Sequence, residues 1–103
     1  MHLIEVLQFY NKYIENKQFT NEKLNSILSD CLFRYIDKYE SIHKKEKLID
    51  CIKYFTKYKL DNKFNDIRKD IKLIELSETN RLLLIKSIYY EYKLTDPVQM
   101  KIE

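Results

Sequence analysis

The chain of 103 residues contains no glycine and a single proline, Pro97. Glycine alone enters positive φ without steric cost, so phosphate-cradling loops, nucleophile elbows and tight hairpins nearly all depend on it. A chain without it must turn through other polar residues. Its apolar residues recur at the i, i+3, i+4 spacing of helices, interrupted by short polar stretches. The reading is all-α: a compact bundle of four to five antiparallel helices, with residues 1–103 forming one helical domain, since the length suits a single core.

The first helix is expected over about His2–Glu15, with Leu3, Val6, Leu7, Tyr10 and Ile14 on one face. Thr20 reads as the N-cap of the second, and Phe19 is placed to staple onto Leu24. The second helix carries the longest stripe: Leu24, Ile27, Leu28, Cys31, Leu32, Tyr35, Tyr39 and Ile42. Residues Ser41–Lys47 form a polar break or a continuation of that helix. A third helix then buries Leu48, Cys51, Ile52, Phe55 and Tyr58. After a turn at 60–63, where Asp61 or Asn62 can cap and asparagine can take the left-handed backbone, a fourth helix is expected over about Lys63–Leu76, burying Phe64, Ile67, Ile71 and Ile74. Ser77 is the expected cap of the last long helix, Glu78–Lys93, whose apolar residues spread nearly all round and so suit the centre of a bundle or an interface. Thr95-Asp96-Pro97 suits a final short turn of helix.

The net charge of +3 is uneven: 1–43 sums to −1, 44–72 to +5 and 73–103 to −1. Only Arg34, Arg68 and Arg81 are arginines, and arginine is the side chain that clamps phosphate and guanine edges bidentately, which weighs against nucleic-acid recognition. The start of the chain is not a signal peptide and the longest apolar run, Leu82–Ile85, is far short of a membrane span, so a cytoplasmic protein with no membrane partner is expected.

Parts for chemistry are scarce. Cys31, His43 and Cys51 lack the paired two-to-five-residue spacing of zinc ligands, and no metal or other cofactor is expected. Two histidines and no glycine give little from which to build a nucleophile, base and oxyanion pocket. Carboxylates at one-turn spacing, such as Asp66 and Asp70, lie among basic residues as surface ion pairs do. The chain is read as non-enzymatic, with no catalytic residue.

What remains is recognition. Nine tyrosines exceed what a core of this size needs, and tyrosine supplies rigid contact area at interfaces, although AT-rich codon usage also favours it. Phe33 lies opposite the stripe of the second helix, Ile36 lies off it and Phe9 sits at the edge of the first helix. Asp30 and Asp37, one heptad apart, flank Phe33. The candidate protein-binding patch is therefore Asp30, Phe33, Ile36, Asp37 and Glu40. In size and helical character the chain is similar to cytosolic immunity proteins of bacteriocins and contact-dependent toxins, which act by surface complementarity. The expected function is an inhibitor of a partner protein such as a toxin or nuclease: an immunity protein of a bacterium, or a phage or mobile-element inhibitor. The overall basic charge opposes a whole-surface fit to a basic nuclease, whereas the acids of the first two helices supply a local acidic face. The alternative is a small nucleic-acid-associated regulator using Lys44–Lys72, whose Lys53–Lys59 stretch interleaves cations with aromatics.

Overall fold

The computed structural model describes residues 2–71 and 74–95. These form five helices: α1 (Leu3–Ile14), α2 (Asn21–Ile42), α3 (Leu48–Lys57), α4 (Asp61–Asp70) and α5 (Glu78–Thr95). The expected turn at Pro97 lies outside the described residues.

The stripe of α1 is buried in full: Leu3, Val6, Leu7, Tyr10 and Ile14 all face the core. The start of α2 is fixed by Thr20, whose hydroxyl accepts the Lys23 N–H at 3.1 Å, satisfying one donor that the helix itself cannot. The start of α5 is fixed in the same way by Ser77, whose Oγ accepts the Asn80 N–H at 3.2 Å. The break at 43–47 is real, so the bundle has five helices rather than four.

Helix α5 is the axle. Each of the other four helices packs against it, and Leu84, Ile85, Ile88, Tyr89, Tyr90 and Tyr92 are all buried. A helix with neighbours on every side has no solvent face to make polar, which is why its apolar residues ring the wheel. Full burial of a leucine such as Leu84, 0 % exposed, contributes about 1.5–3 kcal/mol.

Most of the tyrosine surplus is internal, contrary to the interface reading. Tyr10, Tyr35, Tyr89, Tyr90 and Tyr92 are buried and Tyr39, Tyr54 and Tyr58 partly so. Rings from α2, α3 and α5 meet: Tyr39 stacks on Tyr90 with centroids 4.0 Å apart, and Tyr54 meets Tyr89 edge-on at 5.0 Å. Tyrosine rather than phenylalanine serves here because several hydroxyls reach charged groups. Tyr90 donates to the Glu40 carboxylate, Lys93 Nζ donates to Tyr89 Oη at 3.0 Å, and Tyr35 donates to Glu91 Oε2 at 2.5 Å. Glu91 also accepts the Leu3 N–H at 3.4 Å and pairs with His2 Nδ1 at 2.9 Å, so one carboxylate of α5 holds the positive end of α1 and the edge of α2 together.

A second device joins α2 to the α4–α5 connection. Asn21 pairs with both backbone groups of Glu75, accepting its N–H at 2.7 Å and donating to its carbonyl at 3.1 Å. Asn25 Nδ2 donates to the same carbonyl at 2.8 Å, and Asn25 Oδ1 accepts the Ser77 N–H at 2.9 Å. Asn80, 0 % exposed on α5, closes the set: its Nδ2 donates to Asn25 O and Oδ1 at 2.8 and 2.9 Å, and its Oδ1 accepts Ser29 Oγ at 2.7 Å. Backbone groups of a non-helical stretch are thus paired by side chains.

Four expectations fail locally. Leu48, expected in the core stripe of α3, is the first residue of that helix and is exposed. Ile42 is on the core stripe of α2 by angle but 71 % exposed, at the last residue of the helix. Helix α4 ends at Asp70 rather than near Leu76; Ile71 already has ψ 101°, an extended backbone. The left-handed residue of the α3–α4 turn is Lys59 (φ 51°) and not Asn62, and neither Asp61 nor Asn62 caps, since α4 starts from Leu60.

Candidate functional site

The outward side of α2 carries Asp30, Phe33, Arg34 and Asp37 within two turns, all exposed; Phe33 is 46 % accessible. Spacings of three, four and seven residues put them on one face. Among the described residues, none of the charged three is in an ion pair within 4.0 Å, so their charge is free to meet a partner.

Beside this face runs a shallow groove where α1 packs on α2. One hollow of about 340 Å³ is lined by Glu5, Val6, Phe9, Cys31 and Arg34, and a neighbouring one of about 300 Å³ brings in Tyr13, Lys23, Ile27 and Asp30. Phe9 and Tyr13, 59 % and 49 % exposed, are one turn apart and stacked with centroids 6.4 Å apart; Lys17 Nζ lies 4.5 Å from the Tyr13 ring centre. Cys31 lines both hollows, and burial pushes its thiol up, with Arg34 pulling the other way.

Two of the five sequence-derived residues leave the patch. Ile36 is 4 % exposed, a core residue. The cause is that α2 is flanked by α1 and α5 together, so its buried arc is wider than one stripe, and Ile36 sits one turn before Glu40 on the α5 side. Glu40 is also turned inward: its carboxylate takes Lys86 Nζ at 3.0 Å and the Tyr90 hydroxyl. Burial alone would push the Glu40 carboxyl up, but these hydrogen bonds and the Lys86 charge outweigh it and hold it below the usual carboxylate range. Asp30, Phe33 and Asp37 remain, and Phe9, Tyr13 and Arg34 join them. Of these additions the helical period flags only Phe9, because the groove arises where two helices meet and leaves no trace in either one alone.

The other clusters weighed in the sequence do not assemble. Cys31 and Cys51 are both buried free thiols, burial pushing Cys51 to about 11, and His43 is exposed with its ring 4.5 Å from that of Tyr39. Among the described residues, no three His, Cys, Asp or Glu side chains come together as a metal ion requires, and no helix is long and apolar enough to cross a membrane. No family model matches this chain, nor does any curated protein or solved structure.

Proposed function

We propose that this chain is a non-enzymatic protein-binding module that inhibits a partner protein through the α1–α2 surface, in the manner of a toxin-neutralising immunity protein or a phage or mobile-element inhibitor. The observation that supports this reading is an exposed aromatic anchor, Phe33, set between two carboxylates, Asp30 and Asp37, that form no ion pair among the described residues, and bordered by the Phe9–Tyr13 groove. Interfaces draw their binding energy from such arrangements: a few aromatic and arginine anchors inside a polar rim. The local acidic charge suits a partner with a basic face despite the basic total of the chain.

The test is a triple variant, Asp30→Lys, Phe33→Ala and Asp37→Lys. All three side chains are exposed, so helicity is expected to stay unchanged. Affinity capture from the native host at low and high salt, followed by calorimetry with the purified partner, is expected to give one stoichiometric protein that resists high salt and is lost by the triple variant. Growth of cells expressing that partner should be rescued by the native chain alone. Undiminished affinity of the triple variant would refute the assignment. A nuclease-sensitive partner released by salt would favour the nucleic-acid regulator and the 44–72 segment instead.

A further inference from the structure

We propose a second surface, at the α2–α3 corner, that lies on an anionic bilayer. Among the described residues, three of the eight large apolar side chains left exposed fall in eight consecutive residues: Ile42 at 71 %, Leu48 at 36 % and Ile49 at 55 %. Singly exposed aliphatics are ordinary, but a cluster at a corner needs a partner. Around them Lys44, Lys45, Lys47 and Lys53 are all exposed, and among the described residues none is in an ion pair. The nearby carboxylates are mostly withdrawn: Glu46 turns to Lys93 at 3.3 Å and Glu40 to Lys86, leaving Asp50 outside. One short exposed stretch, from the end of α2 to the first turns of α3, thus combines lysine charge with aliphatic side chains. It is also held in place, because the Glu46 N–H donates to Tyr90 Oη at 3.2 Å and the His43 N–H to the Tyr39 carbonyl at 2.8 Å.

Charge complementarity names an anionic surface, and the apolar groups decide which one. A nucleic acid rewards aromatic stacking and guanidinium forks. This corner offers neither an arginine nor an exposed Phe, Tyr or Trp; its apolar groups are branched aliphatics and its cations are all lysine. Aliphatic side chains gain from the headgroup–acyl boundary, while lysine stems lie along it and their ammonium groups reach anionic headgroups. That no helix crosses a membrane does not bear on this, since lying on a bilayer needs an apolar edge and not a span.

The test is sedimentation of the full chain with vesicles of phosphatidylcholine alone and of phosphatidylcholine containing about 30 % phosphatidylserine, the anionic lipid that attracts basic segments. Binding is expected to the anionic vesicles only, and to fall as salt rises from about 0.1 to about 0.5 M. Ile42→Ser with Ile49→Ser should weaken partitioning at least about tenfold by removing buried apolar area. Lys44→Gln, Lys45→Gln and Lys47→Gln together should weaken it at least about tenfold through lost charge. Thermal melts of both variants should match the native chain, and the native salt and lipid dependence stands as a test without them. Phe33→Ala alone, which leaves the charge of the chain unchanged, should bind vesicles normally, which separates this inference from the inhibitor reading. Absent binding to anionic vesicles, or binding indifferent to the isoleucine pair, overturns the proposal. Tighter binding to duplex DNA or RNA that depends on the lysines and not on the isoleucines overturns it in favour of nucleic acid.

Discussion

Asn80 gives the sharpest prediction. Its side chain is fully buried and makes three hydrogen bonds, two donated to Asn25 and one accepted from Ser29. At about 0.5–1.5 kcal/mol each, with the stranded polar partners adding to the cost, Asn80→Ala should destabilise the fold by about 2–4 kcal/mol. That is a large share of the ~5–15 kcal/mol that a domain of this size holds. Asn80→Asp should be worse than Asn80→Ala, although it is closer in shape. It replaces the Nδ2 donor with a charged acceptor facing two acceptor oxygens of Asn25, at a position fully buried from solvent. The assay is urea unfolding followed by circular dichroism, with exposed Asn65→Ala as a control expected to stay within about 0.5 kcal/mol of the native chain. A cycle with Asn25→Ala should show a coupling above about 1 kcal/mol, since the two side chains share bonds. An Asn80→Ala midpoint near that of the control, or an Asp variant more stable than the Ala variant, would refute the clasp as a source of stability.

Tyr10 is buried with its hydroxyl unpaired among the described residues, burial pushing its pKa up to about 12; Tyr10→Phe should therefore raise stability by about 0.5–2 kcal/mol, seen as a higher melting temperature. Glu40 is held below its ordinary 4.5, so its contribution is complete above that pH and disappears as pH falls through the depressed value. Glu40→Gln should cost about 1–3 kcal/mol at neutral pH and nothing in strong acid, the two stability curves converging as pH drops. Lys59 occupies left-handed backbone at φ 51°, so Lys59→Gly should stabilise by about 0.5–1 kcal/mol in the same urea assay.

Features set by one helix and its solvent were legible in the sequence. The five-residue core face of α1 needs only the helical period, and the caps at Thr20 and Ser77 need only a hydroxyl three residues before an N–H. The central place of α5 was one of the two positions its sequence allowed, the other being an interface, because a helix apolar on nearly every side must be covered. What escaped depends on a second element. Ile36 is buried and Glu40 withdrawn because α5 covers a flank of α2 that angle alone leaves outside. Ile42 is exposed at the very end of α2, where position along the helix and not angle decides burial. The clasp of Asn21, Asn25 and Asn80 joins positions more than fifty residues apart, and polar residues have no period to betray such a contact. Of the candidate patch, the exposure of Asp30, Phe33 and Asp37 on one face of α2 was legible and the groove between α2 and α1 was not.

The place of α5 sets the order in which this molecule can be built. Four helices emerge from the ribosome before the one they all surround, and the clasp and the Glu91 junction both wait for it. Until Glu78–Thr95 is free, the nascent chain has α1 against α2 and α4 and little else to bury. Folding is then a late, concerted event rather than a helix-by-helix accretion. Contacts as distant as His2 with Glu91 make it slower than the helical content suggests.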